Sequence, residues 1–503
     1  MKRNFFFASL LLGASLLMAT PSMAQDKLVK LTTAKEIGQP ITLIVNHNNK
    51  GVSVDWGDGK VETYQTSKAE GICNVEGIVK GKVITISGGD NWTMLACKGC
   101  GLTDIDLSKA KDLHSLYCQN NQLTSLNLSG MKKLVDLNCS NNQISKLVFN
   151  SGNVSSELAS LQNFNIANNQ MTGYYNYKLK DMQHLNVSNN KYKALYIYDT
   201  ELRSVDCSNN NIEGFLNLKS CEHLNNVIFN NNQISNILLA NNGEFIHQLY
   251  GNDNNITILD LSLAEKLTDL VCQNNKLKSL TTHSKARLDV MNVSNNNLAF
   301  NCLPSKSYAP EYLKFAPQGD YNISNAEGLL KKDGVPYAPL ATKWSEIRKV
   351  AIDLTIPGSL SNNRYDATYE WCGVNADGSE TPMVQRKSST QEGDFYASHG
   401  KFSFFTPQKK AYLKLTSKSY GFVIKTTPIA IGDDITGVEQ MVTSNGLEIA
   451  VANGTIILNS TVATPVNIYT TDGKQVWQNV VSGTTSVKLP KGVYVVNGKK
   501  VIL

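Results

Sequence analysis

The chain has 503 residues, 41% apolar and 18% charged, more than one hydrophobic core accommodates, so several folded domains are expected. Lysine and arginine outnumber the acids by only 48 to 42, with no basic block to concentrate the surplus; this is no nucleic-acid signature. Ten cysteines in this length do not make a disulfide scaffold. The chain opens with Lys2-Arg3, an apolar run over residues 5–20, and small residues Ser22 and Ala24 before Gln25. That order is the pattern of a secretory signal peptide. Residues 1–24 are therefore expected to be removed on export, with Gln25 as the new N-terminus. The run is shorter than the roughly 20 residues that span a bilayer, and no later segment is long and apolar enough, so the mature chain is expected to have no transmembrane segment.

Residues 25–89 alternate as strands do, in Ile41-Thr42-Leu43-Ile44-Val45 and Val52-Ser53-Val54-Asp55. Trp56-Gly57-Asp58-Gly59 then supplies turn chemistry. The stretch resembles the W-G-D-G element of small immunoglobulin-like surface modules. The resemblance implies a β-sandwich-like cap in which Asp55 and Asp58 fold a turn and are not catalytic. A solenoid needs such a cap, because a bare end coil exposes core.

Residues 90–302 repeat one frame. Leu113, Leu116, Cys118, Asn121 and Leu123 return as Leu134, Leu137, Cys139, Asn142 and Ile144. The frame continues with Asn169, Asn190, Asn210, Asn232, Asn254, Asn275 and Asn296 at the asparagine position. A degenerate copy with Cys97 and Cys100 precedes them, and the ten copies advance by about 22 residues each. The pattern resembles the leucine-rich repeat family in its short bacterial form. Each unit is too small to bury its own apolar face, so neighbours must stack. Leu116 and Cys118 then point inward, while Ser115, Tyr117 and Gln119 point outward, by the period of two. The asparagines are expected to form a structural ladder that satisfies buried backbone groups at the turn. Their neighbours Asn120, Asn141, Asn168, Asn189 and Asn209 suit left-handed backbone.

Cys97, Cys118, Cys139, Cys207 and Cys272 share one inward slot, where a thiol acts as a small hydrophobe. A flat stack does not converge on a metal ion, so neither metal nor cofactor is expected. A disulfide among Cys73, Cys97 and Cys100 remains an alternative at the first coil.

Residues 303–430 read as strands between polar loops, hence a β-sandwich. Residues 431–437 read as a linker. Residues 438–503 carry Thr471-Asp472-Gly473-Lys474, Leu489-Pro490-Lys491-Gly492-Val493-Tyr494 and a terminal Lys500-Val501-Ile502-Leu503. This looks like the C-terminal sorting domain of type IX secretion in the Bacteroidetes. The resemblance implies a small β domain that engages the secretion machinery and delivers the protein to the outer membrane and cell surface. The fold class expected is mainly β: a leucine-rich repeat solenoid of about ten coils flanked by small β-sandwich domains.

Two surfaces are candidates for binding. In the second short strand of each coil, Leu126 and Leu128 set the inward positions. That register puts Tyr175, Tyr177, Tyr196, Tyr198, Leu216, Leu218 and Leu238 outward as an exposed apolar stripe, unless the longer coil near residues 150–160 folds over it. A secondary candidate is the polar inner face with Tyr117, His184 and Tyr250. The seven histidines are scattered, and no nucleophile elbow, zinc-protease or phosphate-loop motif occurs. The function expected is an exported, non-catalytic binding or adhesion protein with an extracellular protein or glycan as partner. The alternatives are a glycan-binding protein of a nutrient-uptake system, and an enzyme or its accessory subunit.

Overall fold

The structure is a computed structural model. It describes residues 29–47, 51–65, 71–87, 92–150, 154–176, 178–197, 201–239, 245–332, 334–356, 367–432, 442–444, 447–452 and 455–503. The signal segment, Tyr177, Tyr198 and most of the linker at 431–437 lie outside the described residues. The chain divides into two units, residues 1–296 with 307–315, and 297–306 with 316–503.

The first unit is a leucine-rich-repeat-type solenoid built on a 13-stranded sheet. Three-residue strands recur from Ser115–Tyr117 through Asp136–Asn138, Asn163–Asn165 and His184–Asn186 to Val290–Asn292, parallel and in register. Each shows one buried residue between two partly exposed neighbours, or close to it. The buried residue and the one two further on, Leu116 and Cys118 for example, have no exposed surface. The five cysteines of the repeat slot are all buried there. Burial pushes the Cys118 thiol up to about 12 and Cys97 well above its ordinary value. Both thiols are therefore protonated at neutral pH and poor nucleophiles.

The asparagine ladder closes every coil. Asn190 is representative: its Nδ2 donates to the carbonyls of Ile166, Val187 and Ser188 at 3.0, 3.2 and 3.1 Å. Its Oδ1 accepts from the Met171 amide at 3.0 Å. One amide thus ties its own turn to the preceding coil. The residue before each ladder asparagine has left-handed backbone, from Asn120 at φ 60° through Asn189 at 53° to Asn295 at 54°. Asn tolerates this conformation better than other side-chain-bearing residues.

The solenoid extends past residue 302. Tyr312–Lys314 pairs in parallel with Val290–Asn292. The frame is lost in sequence there because the asparagine is replaced: Gln318 Oε1 accepts from the Leu298 amide at 2.9 Å, as Asn296 does from Leu277. The N-terminal boundary is also interlocked. Pro40–His47 pairs antiparallel with Trp92–Ala96 of the first coil, and Val29–Thr33 pairs with Leu102–Asp106. Such pairing joins residues far apart in sequence, which periodicity does not reveal.

Within the cap, Asp55 Oδ1 accepts from the amides of Gly57 and Gly59 at 2.8 and 3.0 Å. Trp56 is fully buried, with its indole donating to Glu62 and to the Tyr64 hydroxyl at 3.2 and 3.1 Å. The two aspartates and the tryptophan build the turn and core of this module. Cys73, Cys97 and Cys100 are free buried thiols, so the alternative disulfide is not formed.

In the second unit, residues 330–431 form a sheet centred on Gln408–Ser417 and Ala367–Val374. A three-stranded sheet of Ile352–Asp353, Lys401–Phe404 and Phe395–Ser398 accompanies it. Trp371 of the first sheet meets Phe402 and Phe404 of the second edge-on, at 5.6 and 4.9 Å between ring centres. The C-terminal residues form a six-stranded antiparallel sheet dominated by the hairpin Thr455–Thr470 and Gln475–Lys488. Its core is Leu447, Ile449, Ile456, Leu458, Val466, Ile468, Tyr494 and Val496.

Candidate binding surfaces of the solenoid

The sheet face, where the first and third residues of each short strand stand, carries a groove of about 410 Å³. Tyr117, Asn138, Asn165, His184, Asn186, Asp206, Asn226 and Ile228 line it. Of the inner-face candidates, the structure brings Tyr117 and His184 into this groove. Tyr250 stands one coil beyond Ile228 and is not among the lining residues.

Much of the polarity here is internal. Asn186 Oδ1 accepts from the Ser188 amide at 3.0 Å and its hydroxyl at 2.7 Å. Asn138 does the same for Ser140, and Asp206 for Ser208. These side chains cap the chain as it leaves the strand. Asp136 accepts from the Ser115 hydroxyl at 3.1 Å and from Asn163. His184 Nδ1 lies 2.7 Å from Ser204 Oγ. Where the capping residue is replaced, an apolar run appears: Ile228, Tyr250 and Val271 stand side by side on consecutive coils. Burial, and then Asp269 beside it, raises the Tyr250 phenol above its ordinary value.

The flank, formed by the second short strands, corrects the sequence reading. Tyr175 is 2% exposed, and Leu216 and Leu218 are fully buried. They point inward. The cause is one extra residue in two coils. Gly173 and Gly214 have φ of +74° and +69°, and the ladder register shifts at Gly173/Tyr174 and Gly214/Phe215. Tyr175 stands four residues after the buried Met171 and Leu216 four after Ile212, whereas Leu195 stands three after Tyr192 and Ile237 three after Ile234. The unequal count leaves Lys193 and Ser235 unpaired in the ladders of the neighbouring strands, and one residue more turns the side chains that follow to the other face. The coil of Asn190 has no such glycine, so Tyr196 points outward as expected, at 42% exposure. Leu238 is half-buried. The sequence signal was present: among the ladder coils, glycine stands four residues after the asparagine only at 173 and 214.

The stripe exists with a different membership. Tyr174 is 64% exposed, Phe215 61% and Ile258 58%. Tyr174 and Tyr196 have ring centres 5.9 Å apart, tilted by 45°. Tyr196 pairs with Asn217, and Asn217 with Leu238, so one row crosses three coils. Phe215 stands two residues before Asn217 on the same exposed face. The longer coil, with its short helix Val154–Glu157, leaves Tyr174 and Phe215 exposed.

Among the described residues, no group of three or more His, Cys, Asp or Glu side chains is placed to hold a metal ion. No helix among them is long and apolar enough to cross a membrane.

No family model and no curated protein matches the chain. Among solved structures, it is similar to the leucine-rich repeat ectodomain of the plant receptor kinase GASSHO1/SCHENGEN3 from Arabidopsis thaliana, with 23% identity and a TM-score of 0.33 over 38% of this chain and 25% of that one. It is similar to YopM from Yersinia enterocolitica at 17% identity and a TM-score of 0.32, over 41% of this chain and 56% of that one. It is also similar to the functional domain of InlJ from Listeria monocytogenes at 16% identity and a TM-score of 0.27, over 67% and 90%. The match thus spans a quarter of the first and just over half of the second. The likeness is one of fold.

Proposed function

We propose that the chain is an exported, non-catalytic binding protein that grips an extracellular protein through the flank of its solenoid. One observation carries this reading: Tyr174, Tyr196 and Phe215 expose their rings on adjoining coils. Contiguous exposed apolar patches mark recognition surfaces, and aromatic anchors dominate many contacts. The 45° tilt between the tyrosines gives no flat platform for a sugar ring, which favours a protein partner over a glycan. The signal-like residues 1–24 support export. The C-terminal domain, with its resemblance to type IX sorting domains, supports delivery to the surface through that machinery in a member of the Bacteroidetes.

The test is a screen of the mature chain against extracellular matrix proteins and glycans. Replacing Tyr196 and Phe215 by Ser is expected to weaken binding of the protein hit at least tenfold, about 1.4 kcal/mol, with unchanged circular dichroism. Unchanged affinity would remove the flank from the function. Mass spectrometry of surface fractions is expected to find Gln25 as the N-terminus; an intact Met1 in the cytosol rejects export. A glycan-binding reading is favoured by the groove with His184, Asn186, Asp206 and Asn226. It predicts that His184→Ala, and not Phe215→Ser, removes a glycan hit.

A further inference from the structure

We propose that the flank stripe takes an acidic protein segment, one whose apolar side chains are accompanied by aspartate or glutamate. This rests on the reading that the flank is the contact surface, and it names the chemistry of the partner. The observation is a separation of charge between two faces of the same coils. From Ser115–Tyr117 to Val290–Asn292, the first and third strand positions hold Asp136, Asp206 and Asp269 and neither lysine nor arginine. The flank reverses this. Lys191 and Lys193 are exposed on the strand that continues into Tyr196, and Lys219 is exposed just past Leu218. On the strands of the stripe, Thr172–Tyr175, Lys191–Leu195, Glu213–Leu218, Gln233–Leu239 and Ile258–Leu261, the acids are Glu213 and, beside Ile258 at the far end, Asp260.

The physical consequence follows from how such side chains work. A lysine lays its aliphatic stem along apolar surface and keeps its ammonium in water. Lys191 and Lys193 lie two residues apart on one strand, roughly 7 Å, and so form a cationic rim beside the aromatic rings. An acidic segment that seats a leucine or phenylalanine against Tyr196 and Phe215 meets that rim with opposite charge. A basic segment is repelled there, and complementarity of this kind sets partner choice and association rate.

Three labelled twelve-residue peptides provide the probe: Glu-Leu-Glu-Ser repeated three times, and its counterparts with Lys or Gln in place of Glu. They are titrated into the mature full-length chain by fluorescence anisotropy. The acidic peptide is expected to bind at least tenfold more tightly than the basic one, with affinity falling as salt rises. Lys191→Glu with Lys193→Glu is expected to invert the preference, and Phe215→Ser to weaken all binding, circular dichroism being unchanged in each. Equal binding of all three peptides that Phe215→Ser abolishes overturns the acidic partner and leaves the flank as contact surface. An acidic preference that survives Phe215→Ser places the binding elsewhere and overturns the inference. So does absence of binding by the acidic peptide, or binding of phosphatidylglycerol vesicles in its stead. The flank reading itself is then judged on the protein screen, where Phe215→Ser is measured independently.

Discussion

The sheet face and the flank are cut from the same coils, yet they differ in what their polar and apolar groups are already doing. On the sheet face, Asn138, Asn186 and Asp206 spend their oxygens on the backbone amide and hydroxyl two residues ahead. On the flank, Tyr174, Tyr196 and Phe215 project outward with 42–64% of each residue's surface in water. A face rich in asparagine is therefore mostly architecture, and a face with a few exposed rings is the stronger candidate for contact. In a repeat protein, a side chain's availability depends on whether the turn has already claimed it.

The largest effect is expected where both faces share a support. Asn190→Ala removes three bonds to carbonyls and the acceptor of the Met171 amide. The carbonyls keep their bonds from Asn169, Asn210 and the Asn168 amide, but the Met171 amide is left buried without an acceptor, and the exchange is expected to cost about 3 kcal/mol in urea unfolding. A loss below about 1 kcal/mol would mean that water replaces the amide. Next comes the flank alone. Gly214→Ala puts a Cβ on left-handed backbone at φ +69° and is expected to cost about 1–2 kcal/mol. If Phe215 then becomes protected from solvent labelling, the glycine sets the orientation of the stripe as well as its stability.

The sharpest comparison pairs two exchanges of smaller effect. Asn186→Ala on the sheet face loses a capping oxygen and is expected to cost about 1 kcal/mol. Tyr196→Ser on the flank is expected to change stability by less than about 0.5 kcal/mol, as exposed positions do. Thermal melts of the two variants beside the parent measure the difference. A Tyr196 variant as unstable as the Asn186 variant would show that the tyrosine supports the fold and would weaken its assignment to a partner.

Several features of this protein were readable from spacing alone. The repeat frame placed Leu116, Cys118 and Asn121 at their depths, and the asparagines before ladder positions, Asn120, Asn141, Asn168, Asn189 and Asn209, pointed to left-handed backbone, because a stacked repeat returns each position to the same environment. The polar inner face was visible for the same reason. Its division into capping residues and the apolar run of Ile228, Tyr250 and Val271 was not, since hydrogen bonds to Ser140, Ser188 and Ser208 depend on side-chain geometry. The flank shows the limit most clearly. Strand parity is a count of residues, and one left-handed glycine changes the count, so Tyr175, Leu216 and Leu218 turned inward while Tyr174 and Phe215 turned out. The domain edges were hidden in the same way, as Pro40–His47 joins the first coil and Tyr312–Lys314 extends the last. What the sequence by itself determined was the repeating local chemistry, which is periodic along the chain. What only the tertiary structure decided was which side chains remain available at the surface, because hydrogen bonds between strands and bulges within them act across space and shift the register.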